Sequence, residues 1–303
     1  MHKFSAVAKI KKNYQLYLLI LPTFIYFIIF KYVPMYGILL AFKDYIPSNG
    51  IIGSPWVGFK YFHQFFSSYQ FSMLIKNTVV LSIEQLIVTF PLPIVLALML
   101  NQLTSERTKK FMQTVVYAPY FISTVVLVGI MIVFLSADGG IINVIIKALG
   151  GKEIYFFSSP KYFRPLYVFS SVWQGTGFAA VIYIAGLSSI DPQLHEAAIV
   201  DGASKFRRML TIDLPGIAPI ILIQLILAMG GIMNVGFEKA FLMQTNLNLD
   251  TSEIIQTYVY KIGLQQAQYE FGTAVGLFQS VINLVLLVGV NKIVSRFSED
   301  SLW

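Results

Sequence analysis

The chain has 303 residues, 56% of them hydrophobic and 12% charged, with a net charge of +7 and a mean hydropathy of +0.69. A soluble domain carries about 25% charged residues, so this balance excludes an ordinary soluble protein. Unbroken apolar runs, rather than short alternating segments, exclude a membrane β-barrel. Cysteine is absent, which removes disulfides, a thiol nucleophile and thiolate metal sites. In a membrane chain the positive balance speaks for topology and lipid headgroups rather than for nucleic acid.

Residues 1–12 form a basic segment with Lys3, Lys9, Lys11 and Lys12. A cleaved signal peptide is the rival reading. No small-x-small site follows, and the apolar run continues through Phe24, Tyr26, Phe27 and Phe30, which argues against it. The domain expected over 13–292 has six spans, each near the roughly 20 residues that a helix needs to cross a ~30 Å core. They are placed at 13–33, 71–101, 111–136, 164–187, 215–237 and 271–292. Pro91 and Pro93 predict a kink in span two. Ile141 to Leu149 reads as a short external helix closed by Gly150-Gly151. A polar external stretch is expected from Glu238 to Glu270, and a tail over 293–303.

Between spans four and five lies an unusually long polar connection, 188–214. Glu196-Ala197-Ala198-Ile199-Val200 favours helix, Gly202 interrupts it, and Ala203 to Leu210 is helical again up to Pro215. The expectation is a helix, a bend and a second helix on the membrane surface. With the N-terminus inside, the inner segments hold twelve of the 22 Lys and Arg: Lys3, Lys9, Lys11, Lys12, Arg107, Lys109, Lys110, Lys205, Arg207, Arg208, Lys292 and Arg296. Positive charge on short inner loops places both termini and this connection in the cytoplasm.

Glu196-Ala197-Ala198, Gly202 after a gap of three, then Ile212-x-Leu214-Pro215 resembles the EAA loop of permease subunits of ABC importers. Leu187 to Pro192 and Ala203-Ser204 look like the carbohydrate branch. Tyr14 to Leu18, Phe30 to Gly37, Ala41 to Tyr45, Ile232 to Glu238, Tyr258 to Tyr260 and Leu302-Trp303 look like the oligosaccharide permeases of Gram-positive bacteria, which are similar to the maltose-type permeases. His195 departs from the Tyr that relatives often have before the Glu, a change not expected to affect docking.

The resemblance implies an all-α integral membrane fold, a type I ABC importer permease half with six transmembrane helices, in the bacterial cell membrane. It implies a second permease subunit in a heterodimer, two copies of a cytoplasmic ATPase and an external lipid-anchored sugar-binding protein. ATP and Mg would sit on the ATPase, with no cofactor and no catalytic residue in this chain. Glu196, Ala197, Ala198, Asp201, Gly202, Leu214 and Pro215 would couple the ATPase to the spans. An oligosaccharide would then cross by alternating access.

The residues themselves agree that energy comes from elsewhere. Gly150-Gly151-Lys152-Glu153 lacks the spacing and the hydroxyl of a phosphate loop, and no H-E-x-x-H metal motif occurs. Polar side chains inside spans are costly and tend to face a bundle interior or a wet cavity. Trp173, Gln174, Asn234, Gln279, Asn283 and Glu84 are therefore the candidate substrate path, with Gln85 and Gln224 beside them. Gln279 and Asn283, four apart, share one helix face. The competing reading is interhelical hydrogen bonding that fixes packing, and Glu84 reads better as a paired structural acid. Gly272 to Gly276 is a G-x-x-x-G, expected to pack span six against a second permease or simply against a neighbouring span. The alternative function is a gradient-driven carrier or channel for a small polar solute, which calls for inverted repeats and paired midplane charges. A membrane-embedded enzyme would need clustered acids, histidines or a nucleophile in the spans, and the sequence shows none.

Overall fold

A computed structural model describes residues 13–297. The basic segment 1–12 and the last residues of the tail, including Leu302-Trp303, lie outside the described residues. Those described are helical throughout, and the one strand-like pairing is an isolated bridge between Lys43 and Trp56. Four unbroken helices are long and apolar enough to cross a membrane: Tyr14–Phe42, Phe71–Asn101, Pro160–Leu187 and Tyr269–Arg296. Two bent pairs bring the number to six if each pair crosses once.

Both bent pairs lie where one span each was expected. Span three, expected over 111–136, is Glu106–Phe121 and Thr124–Phe134 meeting at 93°. Pro119 removes a donor from the last turn of the first helix, and Ile122 and Ser123 are extended. Ser123 Oγ then accepts the Val126 N–H at 3.3 Å and starts the second helix. Span five, expected over 215–237, is Lys205–Gly216 joined at 59° to Ala218–Gly230, and its helix ends at Gly230. Residues 231–236 follow as an irregular turn ending at Gly236, whose φ of +99° suits glycine.

The long element Phe71–Asn101 is interrupted at Phe90, between the helices Phe71–Thr89 and Pro91–Asn101, just before Pro91 and Pro93. The first helix passes Pro34 because a wide turn over Ile28–Tyr32 sends the Val33 N–H back to Ile28 O. It then continues as a tight turn to Phe42, beyond the expected end at 33.

The chain forms two compact units. The first comprises residues up to Ser67 with Lys261–Leu277. Its helix Tyr14–Phe27 buries no side chain. The segment after it is tied by Lys43 Nζ donating to Ile52 O (2.6 Å) and Ser54 O (3.1 Å), and by Tyr61 OH donating to Asp44 (2.7 Å). The Tyr61 hydrogen bond, then Lys60, holds the Asp44 carboxyl below its ordinary value. Within this unit Gly272 packs against Gly263, where a Cβ on Gly263 would lie 3.2 Å from the Gly272 Cα.

The second unit comprises Ser68–Tyr260 with Phe278 onward. Its core has two apolar clusters, one around Leu81, Phe163, Tyr167 and Ile254, the other around Ala97, Ala180, Tyr183 and Ile217. The helix Pro160–Leu187 runs past both. At Gly177 it presses on the backbone of Val116, and any Cβ there would strike the Val116 carbonyl. The stretch expected as a polar external connection from 238 packs into the core of this unit as far as 260. Asn248, Ser252 and Thr257 are buried there. Asn248 Nδ2 donates to Phe157 O (2.9 Å) and Met243 O (3.0 Å), while its Oδ1 accepts from Thr245 N–H (3.0 Å) and Ser252 Oγ (2.7 Å). Buried polar groups of this kind persist only when satisfied.

Candidate functional site

The connection over 188–214 is a helix, a left-handed turn and a second helix. Asp191 Oδ1 accepts the Gln193 N–H at 2.9 Å and starts the helix Pro192–Val200, with Pro192 in its first turn. The helix closes at Gly202, φ +77°, with Ala203 N–H on Ala198 O at 2.8 Å. Ser204 Oγ accepts the Arg207 N–H at 3.3 Å and opens Lys205–Arg208. A wide turn over Met209–Asp213 leads to Leu214 and Pro215.

No side chain of Pro192–Val200 is buried. Glu196, Ala197, Asp201, Gly202 and Pro215 are exposed, and Ala198 and Leu214 are half-buried. Leu194, Ile199, Val200 and Phe206 are also exposed, Val200 to 88%. The connection is held to the rest of its unit by Ile190, Met209 and Leu214, which pack against the cluster around Ala97 and Ile217, and by one buried acid. Asp213 is fully buried, its Oδ2 accepts from Gln102 Nε2 at 3.0 Å, and its Oδ1 lies 3.1 Å from His195 Nε2. The sequence marked His195 only as a departure. Nothing in its spacing from Asp213 or Gln102 pointed to a contact that the wide turn at 209–213 creates.

A polar cavity of about 450 Å³ lies in the same unit, between Pro160–Leu187 and Phe237–Met243. Gln85, Tyr120, Ser171, Gln174, Glu238 and Lys239 carry its polar lining. Gln174 Nε2 donates to Ile122 O at 2.7 Å, at the bend between Glu106–Phe121 and Thr124–Phe134. Tyr120 stacks on Phe178 with ring centroids 4.0 Å apart. Beside it, a smaller space of about 150 Å³ is lined by Gln85 and Asn234 among others.

The candidate path residues separate into three groups. Gln174 and Asn234 line these two spaces. Gln279 and Asn283 are buried and act as braces. Gln279 Nε2 donates to Met233 O (2.7 Å) and Asn234 Oδ1 (2.9 Å), and Asn283 Oδ1 accepts the Met233 N–H (3.1 Å). Trp173 and Glu84 line neither space; Trp173 is 47% exposed. Glu84, expected as a paired structural acid, is half-buried, and no described residue forms an ion pair with it. Gln224 lines a separate, mainly apolar cavity. Lys239 was missed because residue 239 fell in a stretch read as an external loop. Its ammonium is buried, donating to Tyr167 O at 3.1 Å and to Ser171 Oγ at 2.8 Å.

Comparison with known proteins agrees with this architecture. Residues 89–299 match the family described as "Binding-protein-dependent transport system inner membrane component". The chain is 44% identical over 299 residues to the protein LplB of Bacillus subtilis (strain 168), covering 99% of this chain and 94% of the relative. It is 44% identical over 295 residues to the polygalacturonan/rhamnogalacturonan transport system permease protein YteP of the same organism, covering 97% and 92%. Among solved structures, it matches a chain of a bacterial alginate ABC transporter in complex with an alginate pentasaccharide-bound periplasmic protein. The TM-score is 0.90 at 40% identity, with 97% of this chain and 98% of that one covered. A helical membrane chain with a polar cavity, a long polar connection and these likenesses over nearly its whole length belongs to the family of binding-protein-dependent transport system inner membrane components.

Proposed function

We propose that this chain is one permease half of an ATP-driven importer for an oligosaccharide, delivered by an external, lipid-anchored binding protein. The likeness to permeases named for polygalacturonan and to an alginate transporter supports the sugar. In this reading both bent pairs cross once, giving six spans over 13–292, both termini face the cytoplasm, and a second permease completes the pathway. Two copies of an ATPase hold ATP and Mg, so this chain performs no chemistry. ATP closes the ATPases, the 188–214 connection follows, and the cavity opens outward; hydrolysis resets it inward.

The observation that carries the reading is the connection itself. Its first helix is capped at both ends and buries nothing, while Leu194, Ile199 and Val200 stand bare beside Glu196. An apolar surface of this kind is expected to meet another protein. Asp213 and His195 fasten the helix to the Gln102 end of Phe71–Asn101, so force applied to it reaches a span. The coupling roles go to Glu196, Ala197, Ala198, Asp201, Gly202, Leu214 and Pro215. Gln174 and Asn234 face the sugar, with Gln279 and Asn283 behind them. The test is mild-detergent co-purification of the tagged chain, with crosslinking in intact membranes. A second permease and an ATP-hydrolysing subunit are expected with the wild type, and transport is expected to fail in Glu196→Lys. A chain that stays alone in membranes, or a Glu196→Lys complex with undiminished transport, overturns the reading.

A further inference from the structure

Lys239 is the one Lys or Arg among the described residues that is more than nine-tenths buried. An ammonium has three N–H donors. Two of them go to neutral acceptors, Tyr167 O and Ser171 Oγ, and the Tyr167 ring centroid lies 4.8 Å from Nζ. No carboxylate among the described residues forms an ion pair with it, and the third donor has no acceptor there. Lys239 lines the cavity of about 450 Å³, together with Ser171 and Gln174. Burying a charge without a counter-charge is costly, and burial brings this ammonium, outside the spans, down to about 7. As a mere tie between Phe237–Met243 and Pro160–Leu187, an uncharged side chain would cost less. A cation kept at that cost beside a sugar-sized space suits an anionic ligand. Gln85 and Gln174 offer amides for its hydroxyls, and the Tyr120 ring, backed by Phe178, lines it with an aromatic surface.

We propose that Lys239 is the anion-selecting group of this cavity, and that the oligosaccharide the chain admits carries carboxylates, as a chain of uronic acid units does. The proposal rests on the importer reading above and adds the charge of the cargo to it.

The test uses the whole transporter in liposomes with one binding protein throughout. The probes are trigalacturonate and its fully methyl-esterified form, which keeps the shape and loses the charge. Wild type takes up trigalacturonate, and Lys239→Met lowers that uptake tenfold or more without lowering uptake of the ester, while ATP hydrolysis stimulated by the binding protein persists. Lys239→Gln, which keeps two donors and loses the charge, makes the same comparison if the Met variant fails to assemble. A further readout is the pH profile. Tyr167, Tyr120 and Glu238 are the titratable groups facing Lys239. Wild-type uptake of trigalacturonate falls between pH 6 and pH 8 as the ammonium loses its proton, and Lys239→Arg, which keeps its charge, flattens that fall. Equal loss of both sugars in the neutral variants means a structural lysine and overturns the proposal, as does an unchanged pH profile in Lys239→Arg. Uptake of the ester alone by wild type overturns the anion selection and leaves the importer reading standing. Uptake of neither probe overturns the anion selection, and ATP hydrolysis that the binding protein fails to stimulate overturns the importer reading as well.

Discussion

The connections 188–214 and 231–260 both join apolar helices and both read as polar, yet they place their polar groups in opposite ways. The first leaves its charges in water, buries a single acid, Asp213, and exposes Leu194, Ile199, Val200 and Phe206. The second buries Lys239, Asn248, Ser252 and Thr257 and closes around Met243, Ile254 and Ile255. Polarity in a sequence does not separate a connection that leaves its apolar residues exposed from one that completes its own core. The fate of the apolar residues within it does.

The contrast breaks most sharply at Asn248. Asn248→Leu strips partners from Thr245 N–H, Ser252 Oγ and Met243 O at once, while Phe157 O keeps the Thr245 hydroxyl. Each buried group left unsatisfied costs about 1–3 kcal/mol, so an apparent Tm about 10 °C lower is expected in detergent. A thermal scan with no shift would erase the distinction between the two connections. Asp213→Ala comes next. It removes the acceptor of Gln102 and the neighbour of His195, a charged contact worth about 1.5–3 kcal/mol. We expect transport to drop about tenfold while ATP hydrolysis continues, the difference corresponding to about 1.4 kcal/mol. His195→Ala added to Asp213→Ala should then cost little more, because the two side chains act as one link.

Gly202→Ala is milder. Space around Gly202 is open, so the penalty is the left-handed backbone alone, about 1–2 kcal/mol. Gly202→Asn should recover most of the lost transport, since asparagine tolerates that conformation. The smallest effect is expected from Val200→Ser. Stability should move by less than about 0.5 kcal/mol, as for other exposed positions. Co-purification of an ATPase should nevertheless weaken. Full co-purification would mean that the bare apolar face has another use.

The helices and the 188–214 pattern were legible because they rest on local signals: long apolar runs and Gly202 as the turn. The i, i+4 spacing of Gln279 and Asn283 likewise foretold one face, and both reach Met233. The bend before Thr124 was carried by Pro119 and Ser123, but a run of apolar residues masked it. The Asp213–His195–Gln102 link and the placement of Lys239 against Tyr167 depend on contacts far apart in sequence. No spacing rule reaches those.

Gln279 and Asn283 have a mechanical consequence. They sit one turn apart and put three hydrogen bonds onto Met233 and Asn234, beside the space that Asn234 lines. Sliding the last helix by one turn, about 5.4 Å, breaks all three together, whereas a tilt that carries 231–236 along breaks none. The three bonds therefore join the last helix and the 231–236 turn into one part at this point.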